Sequence, residues 1–401
     1  MGQKEKKENI ILFKLLYTVI IILVYLIGKG LPLYMIDLSA YIHKTVEAED
    51  LLIQTISGDI YQCSLFALGI SPYMISSMLV QIISAFRKSE IRSKISPKKT
   101  NKQILGVTLV IATIQAIIQA QELIYRVSGS ELIFAKTVAS IEMVAGAMII
   151  IWLASRNKQY GIGGQSAIIF VNILDGIIKT LRNSSFTEAI IPVSISIMVM
   201  MVIIFMENSE VRIPVQRISI HNIYADKNYL AIKLNPIGVM PAMFSTAAFM
   251  VPQLIIMICS LLMPENGIVL WLKENVTLNQ PVGIVVYLSL VYILSIGFSR
   301  VFVNPGELTE QFLKSGDSLR DIHAGSDTKK YLSRTINRVS IASATILCIC
   351  LCIPMLLQMS GGIQTSLATL PSSVMMLTGI WCNLYREARA VKDLEAYRPF
   401  I

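Results

Sequence analysis

Glu142 and Asp175 stand inside stretches of otherwise apolar residues. A carboxylate costs most in such a setting, so each marks either an ion or proton site or a charge facing a helix interface. Acting as a site, they would serve a multi-span secondary transporter that couples its substrate to ion flow. A relay needs a series of such groups, and Lys14, near the end of its own apolar block, does not extend the pair into one. The other reactive side chains are scattered. His43, His221 and His323 lie far apart in the chain, and no metalloprotease helix or nucleophile elbow surrounds them. Cys63, Cys259, Cys348, Cys350, Cys352 and Cys382 all fall within apolar blocks. In the CICLC run at 348–352, residues two apart do not share a helix face, so the thiols diverge. Gly28-Lys29 lacks both the upstream glycine and the following Ser or Thr of a phosphate loop. Gly161-Ile162-Gly163-Gly164 follows no strand and reads as a flexible turn before a helix. These residues point to no enzyme, no metal site and no cofactor.

The elements that must position them are membrane spans. Of the 401 residues 54% are apolar and 15% charged, against about a quarter charged in a soluble domain. The apolar residues come in blocks long enough to cross about 30 Å of hydrocarbon as a helix. Spans are expected at 10–29, 60–85, 103–124, 134–154, 166–181, 188–206, 237–263, 282–302, 338–358 and 370–385. Lys4, Lys6 and Lys7 precede the first block as in a signal peptide, but GKGLPLY follows it in place of a small-residue cleavage site, so the first span is read as retained. The net charge of +9 raises nucleic-acid binding. The charges sit in the gaps between blocks, however, which makes them a topological signal and excludes that partner. The gaps 1–9, 86–102, 155–165, 207–236, 303–337 and 386–401 hold most of the Lys and Arg, which puts both termini on the cytoplasmic side of the cell membrane. Two of these gaps are longer than a helix connection needs: 207–236, where EVRIPVQRISI suggests a short hairpin, and 303–337. The segment from Asp37 to Gly58 is too polar to span; polarity makes it an outer loop, with a re-entrant stopper as the alternative.

A repeat organises these spans. GISPYMISS at Gly69–Ser77 and GVMPAMFST at Gly238–Thr246 share the pattern G-x-x-P-x-M-x-S-[ST]. One copy belongs to the second span of residues 1–185, the other to the second span of residues 186–401. Each half holds five spans, an odd number, so the halves insert in opposite senses, as in conduits that work at the interface of inverted repeats. Pro72 and Pro241 each open a helix hydrogen bond on this reading and serve as hinges.

The motifs ALGISPYMISSMLVQ at 67–81, YGIGGQSAIIF at 160–170, RIPVQ at 212–216, YLAIKLNPIGVMPAMF at 229–244 and NPGELTEQFLKSGDSLRDIHAGSDTKKYLSRTINR at 304–338 resemble, in order and spacing, those of the SecY family of protein-conducting channels. The resemblance implies an all-α integral membrane fold of ten helices in two inverted five-helix halves around a central pore. It implies a ring of apolar side chains at the pore waist, carried here by Ile70, Met74, Ile169, Ile173, Met243 and Met376. A plug at about 50–60 would include Ile53, Thr55, Ile56 and Ser57, and a gate to lipid would lie between the second and seventh spans. It also implies a SecA-type motor ATPase docking on Arg212, Arg217, Arg320, His323, Lys329 and Lys330, with an unfolded secretory polypeptide as cargo. A small SecE-like subunit and a SecG-like or accessory membrane subunit would complete the assembly. Three departures stand out: His323-Ala324-Gly325 replaces an Arg-Pro-Gly tip, the loop after the sixth span lacks a basic stretch, and GIGGQSAIIF is one residue short. These are most similar to the accessory SecY paralogue of Gram-positive bacteria, which implies a dedicated motor and glycosylated surface proteins as cargo.

Overall fold

The computed structural model describes residues 2–37, 63–86, 96–217, 229–238, 240–262, 266–277, 280–319, 322–359 and 365–397. Ten helices of 16 residues or more run through them: α1 (Gly2–Lys29), α2 (Ser71–Phe86), α3 (Pro97–Glu122), α4 (Ser130–Tyr160), α5 (Gln165–Asn183), α6 (Phe186–Asn208), α7 (Met240–Leu262), α9 (Pro281–Phe302), α11 (Ser326–Met359) and α13 (Leu370–Tyr397). Each expected span falls on one of them. Three short helices, α8 (Gly267–Asn275), α10 (Pro305–Ser315) and α12 (Thr365–Ala368), lie between. Several starts are set by local chemistry. Ser96 accepts the Lys98 N–H ahead of Pro97, and Asn304 accepts the Gly306 N–H ahead of Pro305, so in each case a side chain caps the helix and a proline occupies a position with no amide to lose. Gly316, at φ +73°, closes α10 in the left-handed region.

Among the described residues six helices are long and apolar enough on composition alone to cross a membrane, within Ile11–Lys29, Lys98–Glu122, Glu131–Tyr160, Phe186–Asn208, Pro281–Ser315 and Ser326–Leu357. Among the others, α2 is only 16 residues long, and α5 carries Asn172, Asp175 and Lys179. Leu12, Phe13, Ile27, Met198, Phe205 and Ile293 are among many large apolar side chains left exposed, a surface that water would not tolerate and lipid requires.

Apolar blocks measure the hydrocarbon and not the helix, so the expected boundaries shift. The ninth span, expected from 338, belongs to a helix that starts at Ser326, because Leu332 and Ile336 are buried on its otherwise polar first turns. The tenth runs on to Tyr397. The second, expected from 60, begins as a helix only at Ser71.

That shift corrects the hinge reading. Pro72 and Pro241 are the second residues of α2 and α7, where no intrahelical bond exists to be broken. Both start helices. The prolines inside helices are Pro192 of α6, Pro252 of α7 and Pro354 of α11.

Helix packing falls into two groups. α1 packs on α4, α2 on α3, and α3 on α4; separately α6 packs on α13, α7 on α9, and α9 on α11. The groups are joined by α5 against α13 and α2 against α7, with α1 also touching α13. Beside the helices, β1 (Glu210–Arg217) pairs antiparallel with β2 (Tyr229–Lys233), which is the expected hairpin, and along its other edge with β3 (Asp317–Leu319), which was not expected. Ile213, Ile232 and Leu319 of the sheet bury against Leu332 and Ile336 of α11, so the two long loops form one small folded unit.

Candidate functional site

The repeat is a structural unit as well as a pattern. Gly69 and Gly238 both take positive φ, +54° and +72°, a conformation that a Cβ disfavours. Each turns the chain so that a proline-started helix begins within two residues of it. The hydroxyls that close each motif are satisfied on their own helix: Ser76 Oγ donates to the Pro72 carbonyl at 2.6 Å and Ser77 Oγ to that of Met74 at 2.9 Å. Ser245 Oγ and Thr246 Oγ1 both donate to the Ala242 carbonyl, at 2.8 and 3.0 Å. The hydroxyls of the motif are therefore each bonded within their own helix, with Thr246 reaching Tyr287 as well.

Ile70, Met74, Ile169, Ile173, Met243 and Met376 all belong to one contiguous buried apolar cluster, none more than 9% exposed. Ile70 stands just ahead of α2 and the others come from α2, α5, α7 and α13, the helices through which the two packing groups meet. Local packing holds them there. Tyr25 of α1 stacks on Phe66 at 5.7 Å between centroids and donates its hydroxyl to Asn172 Oδ1 of α5 at 2.8 Å, which fixes α5 beside the approach to α2. Phe244 lies 5.3 Å from Phe298 and Thr246 Oγ1 3.3 Å from the Tyr287 hydroxyl, which seats α7 on α9. A second apolar cluster, centred on Met143, Ala112 and Ala147, stays within residues 33–147.

The two intramembrane carboxylates do not join this cluster or each other. The Glu142 carboxylate accepts the Tyr34 backbone N–H at 2.9 Å. Asp175 pairs with Lys29 at 2.5 Å and with Lys179 at 2.9 Å. Both carboxylates are thus spoken for by structural partners, the interface reading of such charges and not the transport one. Among the described residues no three His, Cys, Asp or Glu side chains converge as metal ligands.

Of the residues implied for motor docking, Arg212, His323, Lys329 and Lys330 are exposed on or beside the three-stranded unit. Arg212 is already engaged: its Nε lies 2.8 Å from Glu210 Oε1, and its guanidinium stands 4.7 Å over the Tyr229 ring. The hydrogen bond to Glu210 pushes its pKa still higher than usual, so it remains a fixed cation. Arg217 aligns its backbone with Asp317 across the β1–β3 pair. Arg320 and the plug residues Ile53, Thr55, Ile56 and Ser57 lie outside the described residues.

Sequence reasoning missed Glu207, Arg386 and Glu387. Glu207 was absorbed into the loop that starts at 207, yet its side chain is 1% exposed and bound to Arg386 at 2.8 Å. An acidic residue at the last turn of an apolar helix, where the macrodipole disfavours it, was the available signal.

The SecY family model matches residues 64–385. Among curated proteins, the accessory Sec system protein translocase subunit SecY2 of Streptococcus sanguinis is 26% identical, covering 98% of this chain and 99% of that protein. The protein of the same name from Streptococcus agalactiae serotype III is 29% identical, with coverage of 98% and 96%. Among solved structures, one described as the structure of a protein conducting channel aligns with a TM-score of 0.69 at 18% identity, over 96% of this chain and 93% of its own. A second, from work on how the plug domain stabilises the closed state of the SecY channel, aligns with a TM-score of 0.64 at 17% identity.

Proposed function

The chain belongs to the SecY family, and on that premise we propose that it is the polypeptide-conducting channel subunit of an accessory Sec system in a bacterial cytoplasmic membrane. Ten spans in two inverted halves, 1–185 and 186–401, enclose the path, and both termini face the cytoplasm. Support for the inverted plan comes from the joins between the groups. Span two meets span seven and span five meets span ten, so at both joins a helix meets its counterpart in the other half, as a twofold relation allows.

The observation that carries the function is that Ile70, Met74, Ile169, Ile173, Met243 and Met376 all lie within one large buried apolar cluster to which both halves contribute. On this reading those six apolar side chains line one constriction. Such a waist seals by excluding water, because wetting a narrow apolar passage gives ions no replacement for their hydration. Methionine and isoleucine also yield to a passing chain, the former through three freely rotating bonds. A chain in transit replaces the contacts the ring makes with itself, so closure recovers when the chain leaves. The seam between α2 and α7 is the gate toward lipid. It works by separation of two helices that each begin at a glycine turn, and not by bending at Pro72 or Pro241. The segment at about 50–60 is the plug. Force comes from a separate SecA-type ATPase on the unit built from β1–β3 and the start of α11, with small SecE-like and accessory subunits on the lipid-facing side and glycosylated surface proteins as cargo.

The test is purification with native membrane partners and reconstitution into vesicles with the ATPase that copurifies. ATP-dependent passage of an unfolded cargo into the lumen is expected. Ion-coupled uptake of a small solute, abolished by Asp175→Asn, would overturn the channel reading in favour of a transporter.

A further inference from the structure

Neighbouring residues of α13 hold two of the turns from which pore helices start, those of α5 and α7. On one side, Arg386 reaches the C-terminal end of α6: its Nη1 lies 2.8 Å from Glu207 Oε2, and its Nη2 donates to the Glu207 backbone carbonyl. Glu207 Oε1 also accepts from Asn235 Nδ2 at 3.3 Å, and Asn235 Oδ1 accepts from Ser343 Oγ of α11 at 3.0 Å. This carboxylate fills the space beside Gly238, where an added Cβ would stand 2.8 Å from Oε1, and Asn383 of α13 is the next neighbour at 3.7 Å. Gly238 is the turn that opens α7 and delivers Met243.

On the other side, Glu387 Oε2 accepts the Gly163 backbone N–H at 3.1 Å, and the Leu384 side chain lies directly against Gly163, leaving no room for a Cβ. Gly163 holds φ +81° in the turn that opens α5 and delivers Ile169 and Ile173. The turn is held from α4 as well: Asn157 Nδ2 donates to the carbonyls of Ile162 and Gly164 at 3.0 and 2.9 Å, and Thr18 of α1 donates to Asn157 Oδ1 at 2.9 Å.

We propose that residues 383–387 of α13 form a clasp that sets the closed spacing of α5 and α7, one half of it built to stay shut and the other to let go. The inference rests on the channel reading above. The two grips differ in kind. In the Arg386–Glu207 pair the carboxylate is buried, at 1% exposed, while the guanidinium is 31% exposed; the carboxylate is hydrogen-bonded on several sides, and parting the pair would leave it short of its cation in a low dielectric. The Glu387–Gly163 contact is a single exposed hydrogen bond that water can replace. When α7 moves away from α2 and α5, the weaker grip opens first. The Gly238 turn then travels with α13 as one body, while the Gly163 turn stays with α4. At Gly163 the missing Cβ lets the grip reach the backbone itself, and at Gly238 it leaves room for the Glu207 carboxylate that Arg386 holds.

The assay is potassium efflux from vesicles holding the complete purified complex, with and without an arrested cargo polypeptide, beside a thermal melt of each variant. Glu387→Ala is expected to raise resting efflux about tenfold, equivalent to about 1.4 kcal/mol, without lowering the melting temperature. Glu387→Gln, which keeps an acceptor oxygen, should retain most of the seal. Glu207→Gln combined with Arg386→Met removes both charges of the pair together and should leak at least as much as Glu387→Ala. Arg389→Gln, on the same helix with only an exposed pairing to Asp393 at 4.0 Å, should leave efflux unchanged. A Glu387→Ala channel that melts normally and seals like the unmodified one overturns the clasp, and so does equal leak from Arg389→Gln. An unmodified complex that conducts nothing even with arrested cargo removes the channel reading, a result that differs from either of those.

Discussion

Replacing Met243 by asparagine places an amide where the ring has only carbon and sulfur. Met243 is 9% exposed within the cluster that also holds Ile70, Met74, Ile169, Ile173 and Met376. In the dry, closed state the amide would sit among the apolar side chains of this cluster. A poorly satisfied buried amide costs about 1–3 kcal/mol. Water entering the waist relieves that cost, so it is subtracted from the preference for the closed, dry state. A shift of about 1–3 kcal/mol corresponds to about a 5- to 150-fold rise in ion leak. Planar-bilayer conductance of the reconstituted complex, read beside expression yield, measures it, and passage of cargo with a defective signal should ease in parallel. Met143→Asn is the matched control: Met143 is 0% exposed but belongs to the second apolar cluster, so it bears the same burial cost with no path through it. It should lose yield without leaking. Ile173→Asn should behave like Met243→Asn. Unchanged conductance at normal yield in both ring variants, or equal leak from Met143→Asn, would refute the assignment of the waist.

Three further outcomes follow from the geometry. Cysteines placed at Ser326 and at Lys273 should react with a membrane-impermeant thiol reagent from opposite sides, Ser326 only in inverted vesicles and Lys273 in intact cells; labelling of both from one side would break the ten-span topology. Gly146→Ala should destabilise by about 1–3 kcal/mol through overpacking, since its Cβ would overlap the Leu65 carbonyl, whereas Gly106→Ala, with open space around it, should be neutral or stabilising by up to about 1 kcal/mol in a thermal melt. His323→Arg restores a guanidinium at an exposed loop tip, but a single charge does not replace the contacts of a whole docking unit, so export of ordinary signal-peptide cargo by a general motor should not appear; robust export would count against dedicated docking.

How far the chain could be read before its structure depends on which forces act locally. Lipid makes each crossing helix satisfy its own backbone and show apolar surface all round, so the number and order of the long helices are legible as blocks of hydropathy. The hairpin was legible from the β-branched RIPVQ segment, and the repeat from nine aligned residues. The resemblance of those same motifs to a known family implies which side chains share a waist, and the six named lie within the same large buried cluster as many other side chains. Other features depended on contacts between distant segments. β3 is three residues long and carries no strand pattern of its own; it exists because the edge of β1 and the apolar side of α11 are there to receive Leu319. Pro72 looked like an interior kink because a span of 60–85 was assumed, and only the turn at Gly69 shows that the helix starts beside it. Glu207, Arg386, Asn157 and Glu387 looked like ordinary polar residues at span ends. Their partners lie 179, 139 and 224 residues away: Glu207 for Arg386, Thr18 for Asn157 and Gly163 for Glu387. The local sequence thus determined which segments are helices and which lie in lipid, since hydropathy and capping act within a few residues. Which charges are buried, which turns are held, and which helices meet across the halves were decided by tertiary structure, because burial and pairing exist only once remote segments have come together.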